Sequence, residues 1–307
     1  MPRTIKNITD PIRFVIYIGL WALCLGFIET VPARGQNQLN IDSLENIMEN
    51  GRDSVLVESS NELFFHFIST EPERSISYIN RSLEIALENN DLYGIANAYN
   101  VRGIYYQRRS EYEKAIEMHT KSLDYYDQAN DHENKGWGLN NIGTVYLYLK
   151  NFDKAKEYLK QAYDILKSSG HQEGIATTAG NLGSVYSKLE QYDQALELFD
   201  ESLKVSIDLG LKFDQGRMLN NKGVLYSDQE NYPLALESFE RALQLFVEVN
   251  ETYAMMSGYR NVGAVRTKLG QFEKAESSLL KSIELSKKYK ARLKTCLLYT
   301  SPSPRDS

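Results

Sequence analysis

The stretch NNIGTVYLYLKNFDKAKEYL, residues 140–159, decides how this chain is read. It places Gly143 inside a helical apolar pattern, where glycine costs about 0.5–1 kcal/mol relative to alanine. Forty residues on, the chain reads GNLGSVYSKLEQYDQALELF, and forty further NNKGVLYSDQENYPLALESF, so the glycine recurs with its surroundings. Working outward, Gly103, Gly143, Gly183, Gly223 and Gly263 stand at a constant interval of forty. Three residues after each stand Tyr106, Tyr146, Tyr186, Tyr226 and Arg266; nine after, Tyr112, Phe152, Tyr192, Tyr232 and Phe272; twelve after, Ala115, Ala155, Ala195, Ala235 and Ala275. Four position classes in register over five copies mark an internal repeat.

Each copy carries apolar residues at helical spacing, as in Leu139, Ile142, Tyr146 and Leu149, and again in Ala155, Leu159, Ala162, Ile165 and Leu166. A short polar break such as Lys150-Asn151 turns the chain between them, so the unit is a pair of helices of about sixteen to eighteen residues each. One such pair cannot bury its apolar faces alone and must stack on neighbours. Glycine and alanine at fixed places let two helices approach closely, and aromatic residues fill the space beside the contact, with the tyrosines three after each glycine expected in the core.

The small residues Gly143 and Ala155 and the aromatic Tyr146 and Phe152 resemble the signature of the tetratricopeptide repeat, across residues 92–290. The resemblance implies an all-α fold, a right-handed α-solenoid of stacked antiparallel helix pairs. Two departures stand out: the usual period of thirty-four is lengthened to forty, and the proline that usually closes the unit is missing. Upstream, PERSISYINRSLEIALENN (residues 72–90) reads as the second helix of a degraded unit, with Leu63 for the glycine, His66 for the tyrosine and Ser75 for the alanine. Residues 36–90 are therefore expected to cap the array, and 91–290 to form five forty-residue units.

Both ends differ in kind. Arg3, Lys6 and Arg13 precede FVIYIGLWALCLGFI (residues 14–28) and then TVPARGQ, the basic, apolar, small-residue order of a secretory signal peptide over residues 1–35. The apolar run is shorter than the ~20 residues of a membrane-spanning helix, so a cleaved signal is favoured over an anchor. An exported, periplasmic location follows as the expectation. Residues 291–307 begin as an incomplete further unit and end in CLLYTSPSPRDS, which resembles the translation of an adapter used in preparing transposase-cut sequencing libraries. On that reading the residues from about Cys296 are not native and the array is cut short.

Composition supports a folded, soluble-type chain: 42% hydrophobic, 25% charged and 7 prolines in 307 residues. The net charge of -6 with no basic stripe argues against nucleic acid as a partner. Cys24 and Cys296 are the two cysteines, so no disulfide or thiolate site is expected between them. His66, His119, His132 and His171 show no metal-ligand spacing, with the first two at core-type positions and the others in turns between helices. The glycines do not cluster into a phosphate loop, and the carboxylates of stretches such as EYEKAIE alternate with lysine as solvated pairs. No catalytic residue, metal or cofactor is assigned.

What remains is a surface. The resemblance implies that the first helix of each pair lines a concave groove, with the residue two before the glycine pointing into it. Asn141, Asn181, Asn221 and Asn261 hold that place, and Val101 breaks the series. One position earlier stand Asn100, Asn140, Asn220 and Arg260, with Gly180 interrupting. An amide gives two hydrogens and accepts two, so this ladder is a candidate for holding the backbone of an extended peptide, or for bridging adjacent helices. Arg217 and Trp137 are candidates for a charge contact and an aromatic anchor. The expected partner is a protein or extended peptide, and a membrane is met only through the signal segment or a missing downstream transmembrane helix. By analogy with bacterial membrane sensors, the chain is expected to be the periplasmic sensing region of a truncated histidine kinase, nucleotide cyclase or DNA-binding regulator; the alternative is a stand-alone exported scaffold of the cell envelope.

Overall fold

The computed structural model describes the backbone of residues 34–50 and 54–300 and the side chains of residues 41–49 and 56–289. The expected signal peptide thus lies almost entirely outside the described residues, as do residues 301–307. Thirteen helices are present among the described residues, and no strand. They are α1 (Arg34–Asn50), α2 (Ser54–Phe67), α3 (Pro72–Glu88), α4 (Leu92–Arg108), α5 (Tyr112–Gln128), α6 (His132–Tyr148), α7 (Phe152–Ser168), α8 (Gln172–Lys188), α9 (Tyr192–Asp208), α10 (Lys212–Asp228), α11 (Tyr232–Glu248), α12 (Thr252–Lys268) and α13 (Phe272–Thr300).

The helices α3 to α12 are 17 residues long. What fixes that length is a turn repeated every twenty residues. Asn90, Ser110, Asn130, Lys150, Gly170, Glu190, Gly210, Glu230, Asn250 and Gly270 all have φ between 52° and 71°, the left-handed region. At each, two hydrogen bonds close the helix end, as when Lys150 N donates to Leu147 O (3.0 Å) and Asn151 N to Tyr146 O (2.9 Å). That pair is the Schellman arrangement, and it satisfies carbonyls that would otherwise lack partners. Seven of these ten positions carry a side chain, so most of the turns hold an L-residue where glycine would be less strained.

Within each unit the packing glycine explains itself. A Cβ built on Gly143 would lie 2.6 Å from Leu159 Cγ, one on Gly183 2.9 Å from Phe199 Cδ1, and one on Gly223 2.7 Å from Phe239 Cδ1. The glycine in the first helix thus receives the residue sixteen later in the second: His119, Leu159, Phe199, Phe239 or Leu279. Ala115, Ala155, Ala195, Ala235 and Ala275 are buried beside this contact, as expected.

The tyrosines three after each glycine depart from expectation. Tyr106, Tyr146, Tyr186 and Tyr226 are half-buried, and the core place goes to the residue before each: Tyr105, Val145, Val185 and Leu225. The physical reason is helix geometry: neighbouring residues are turned about 100° apart around the axis, so where one faces the core the next stands at its edge. The tyrosine rings pack on the rim of the apolar clusters, and lysines lie over three of them: Lys114 5.3 Å from the Tyr106 centroid, Lys154 5.1 Å from Tyr146 and Lys156 4.8 Å from Tyr186. His66, read as a core position, is exposed, its ring edge-on to Phe67 at 4.7 Å.

Each first helix from α4 on packs against its own second helix and the second helix of the unit before. The first helices also touch one another, α2 with α4, α4 with α6, α6 with α8 and α8 with α10, whereas successive second helices from α5 to α13 make no comparable contact. Units closer on one side than the other stack as wedges, so the first helices form the inner face of the array. The helices α1 to α3 precede the regular units, with Leu63, Phe65, Ile79 and Ser75 buried at equivalent places. Position 290, where the twenty-residue spacing would place the next turn, lies inside α13, which continues to Thr300.

Candidate partner-binding face

The inner face is lined by side chains from α6, α8, α10 and α12, and its most regular feature is a set of amide-to-amide hydrogen bonds. Asn141 Nδ2 donates to Asn100 Oδ1 at 3.0 Å, Asn181 Nδ2 to Asn140 Oδ1 at 2.8 Å, and Asn261 Nδ2 to Asn220 Oδ1 at 2.9 Å. Each bond joins the residue two before one glycine to the residue three before the previous glycine, so each ties neighbouring units together. Where the series meets Gly180 there is no amide to accept, and Asn221 Nδ2 turns to Ser184 Oγ at 3.3 Å. The two columns of asparagine therefore interlock. Each donor still keeps one N–H and a carbonyl oxygen, because one amide bond uses one of its four hydrogen-bonding sites.

Asn141, Asn181, Asn220, Asn221 and Asn261 are half-buried, whereas Asn140 is buried between helices. Arg260 is exposed, with Nη2 donating to Ser257 Oγ at 3.2 Å. Arg217 reaches Asp214 Oδ1 through Nη2 at 2.9 Å, and its Nε is buried with no hydrogen-bond partner among the described residues. Trp137 is half-buried and edge-on to the His171 ring at 5.8 Å. His171 caps α8 by accepting from Gly174 N at Nδ1 (2.9 Å), and its Nε2 lies 3.2 Å from Glu133 Oε1. Trp137 and Arg217 thus belong to the same face but sit two units apart.

Sequence reasoning missed two acids here. Glu173 and Asp214 stand in the first turns of α8 and α10, where a carboxylate is favoured by the helix dipole. One oxygen of Glu173 is nevertheless buried without a hydrogen-bond partner among the described residues, and burial, with the charge of Asp214 added, pushes its carboxyl up to about 7. The first-turn acids were visible in the sequence; their burial depends on the neighbouring unit and was not. Aromatic residues also stay open on the first helices, Tyr148 59% and Tyr253 61% exposed, with Tyr148 stacked on Tyr112 at 6.1 Å.

Elsewhere, a groove of about 550 Å³ between α11, α12 and α13 is lined by Leu243, Val247, Tyr259, Arg266 and Lys281 and contains none of the asparagines. Among the described residues no three His, Cys, Asp or Glu side chains are grouped to hold a metal ion, and no helix is long and apolar enough to cross a membrane.

Comparison with known proteins agrees with this architecture. A search of curated proteins found no match. Among solved structures, BtubC (BKLC) from P. vanneervenii is similar at 24% identity and a TM-score of 0.61, over 78% of this chain and 96% of that one. A Rap protein complexed with Competence and Sporulation Factor is similar at 17% identity and a TM-score of 0.66, over 91% and 78%. The apo form of the quorum sensor NprR from B. thuringiensis is similar at 16% identity and a TM-score of 0.61, over 97% and 85%. At these identities the likeness is one of fold. The family profile of the tetratricopeptide repeat matches in five overlapping windows, residues 64–128, 94–168, 136–208, 174–248 and 214–288, and the chain belongs to the tetratricopeptide repeat family.

Proposed function

We propose that the inner face binds an extended peptide or protein segment, and that the chain serves as the periplasmic input region of a signal-transduction protein. The observation that carries the binding reading is the asparagine ladder: Asn141, Asn181, Asn221 and Asn261 repeat on one face, half-exposed, each with donor and acceptor capacity left after its bond within the array. Amides spaced along adjacent helices suit a main chain, whose own N–H and C=O groups need both kinds of partner whatever its side chains. The Rap protein seen with Competence and Sporulation Factor and the quorum sensor NprR, both similar in fold, support a receptor reading. The basic, apolar and small-residue order of residues 1–35 supports export. The output, a kinase, cyclase or DNA-binding activity, belongs to the same proposal by analogy.

Asn221 is the residue to test, because its bond to Ser184 is the longest of the four and its loss disturbs the array least. On an array of immobilised random peptides, Asn221→Ala is expected to lose about tenfold in affinity for the peptides the native chain retains, equivalent to ~1.4 kcal/mol, with melting unchanged within about 0.5 kcal/mol. Unchanged binding together with a lower melting point would make the ladder a purely structural device. Export is tested by fusing residues 1–40 to a phosphatase reporter that matures only outside the cytoplasm; an inactive reporter removes the periplasmic assignment.

A further inference from the structure

One polar side chain is built into the core where the other units carry a hydrocarbon. At the position sixteen after the packing glycine, His119 takes the place filled by Leu159, Phe199, Phe239 and Leu279. It is fully buried (0% exposed), and a Cβ on Gly103 would meet three of its ring atoms at 2.5–2.7 Å. Its Nδ1 lies 2.9 Å from Asn100 Oδ1. A carbonyl oxygen only accepts, so Nδ1 carries a proton, and with no acceptor at Nε2 for a second one the ring is neutral. The other nitrogen, Nε2, then presents a bare lone pair inside the core, and it has no hydrogen-bond partner among the described residues. Asn100 Oδ1 also accepts from Asn141 Nδ2, so one oxygen joins the buried ring to the first rung of the ladder.

We propose that His119 is a proton latch at the junction of the first two regular units: a second proton on the ring needs water at Nε2, and the ring must leave the core to find it. Opening then starts between α4, α5 and α6, and it withdraws the donor that, with Asn141, holds Asn100. Burial alone holds the imidazole down, to about 3 from its ordinary 6.5, with no charged group on α4, α5 or α6 contributing. The sign follows. The neutral ring is the folded form, so its contribution is complete above pH 6.5 and is lost progressively as pH falls from 6.5 toward 3. The latch rests on the inner-face reading only for its consequence, release of a bound segment in acid.

Hydrogen exchange of the full chain, read by mass spectrometry at about pH 7.5 and about pH 5 and corrected for intrinsic rates, tests it. Between those values the opening constant of residues 92–148 is expected to rise about 30-fold more than that of residues 192–228, a stretch that leaves out the acid-sensitive Glu173. His119→Leu and His119→Phe, each borrowed from another unit, should remove the difference. An equal rise in all units, or a rise that survives both substitutions, overturns the latch. Acid loss of array-selected peptides without selective opening would sink the latch and leave the binding face standing; selective opening with no peptide bound at any pH would do the reverse.

Discussion

Gly138→Ala and Gly143→Ala make the same change in the same helix, α6, and the packing around them sets opposite signs. In both, alanine gains about 1 kcal/mol of helix propensity. At Gly138 the new Cβ would meet Leu123 Cδ2 at 2.7 Å, with the next atom, Ser122 Oγ, at 3.6 Å. A terminal methyl group moves by rotating its own side chain, so the cost is small and Gly138→Ala should gain up to about 1 kcal/mol. At Gly143 the new Cβ would lie 2.6 Å from Leu159 Cγ and 3.1 Å from Leu159 N. The branch carbon moves only by a change of χ1, which the full burial of Leu159 opposes, and the backbone nitrogen moves only with α7. Overpacking of this kind costs about 2–3 kcal/mol, so Gly143→Ala should lose about 1–2 kcal/mol net. Urea melts followed by far-ultraviolet circular dichroism measure both. A double-mutant cycle with Leu159→Ala should return a coupling of about 2–3 kcal/mol, the whole overpacking cost, because the truncated side chain makes room for the new methyl. Gain at both glycines, or no coupling, would refute close approach as the reason for the repeated glycine.

Two further perturbations test other parts of the array. Glu190 and Glu230 hold the left-handed turn position with φ of 58° and 59°, so Glu190→Gly and Glu230→Gly should each stabilise by about 0.5–1 kcal/mol in urea melts, whereas the same change at exposed Glu197, inside α9, should cost about that much. Glu173 is favoured in its protonated form, so the fold bears no penalty from it below pH 4.5 and a growing one as pH rises to about 7. Glu173→Gln should therefore leave stability unchanged at about pH 4 and raise it by ~1 kcal/mol at about pH 8, a value reduced from the full linkage because the group is partly solvated; equal effects at both values would place the cause elsewhere.

The forty-residue period was legible because Gly143 and its companions tolerate little else: a glycine pressed by Leu159 admits no side chain, and an alanine fully buried beside it admits one methyl. Of the turn behind it, the polar break at Lys150-Asn151 was legible but its strict twenty-residue recurrence was not. Its left-handed position is filled by asparagine, serine, lysine, glutamate or glycine, and what fixes it is the pair of hydrogen bonds at the helix end. The sixteenth position was hidden in the same way, since histidine, leucine and phenylalanine share only the property of filling one space. The tyrosines were misread because a recurring aromatic spacing says that a ring packs, not that it is enclosed; the residue before each tyrosine takes the enclosed place, about 100° away around the helix.

The asparagines show where sequence reading divides. Recurrence at a forty-residue interval singled them out, but an amide that bridges units and an amide that meets a ligand look alike in a sequence. Gly180 separates the two roles. If every rung were needed to hold the array, the unit lacking an acceptor would be expected to lose its donor as well; instead Asn221 is present and settles for Ser184 at 3.3 Å. The helices α8 and α10 still touch at that junction, so their packing does not depend on an amide-to-amide bond there. An asparagine present where its structural partner is absent is the one best placed to have another use, and for that reason the binding test belongs on Asn221.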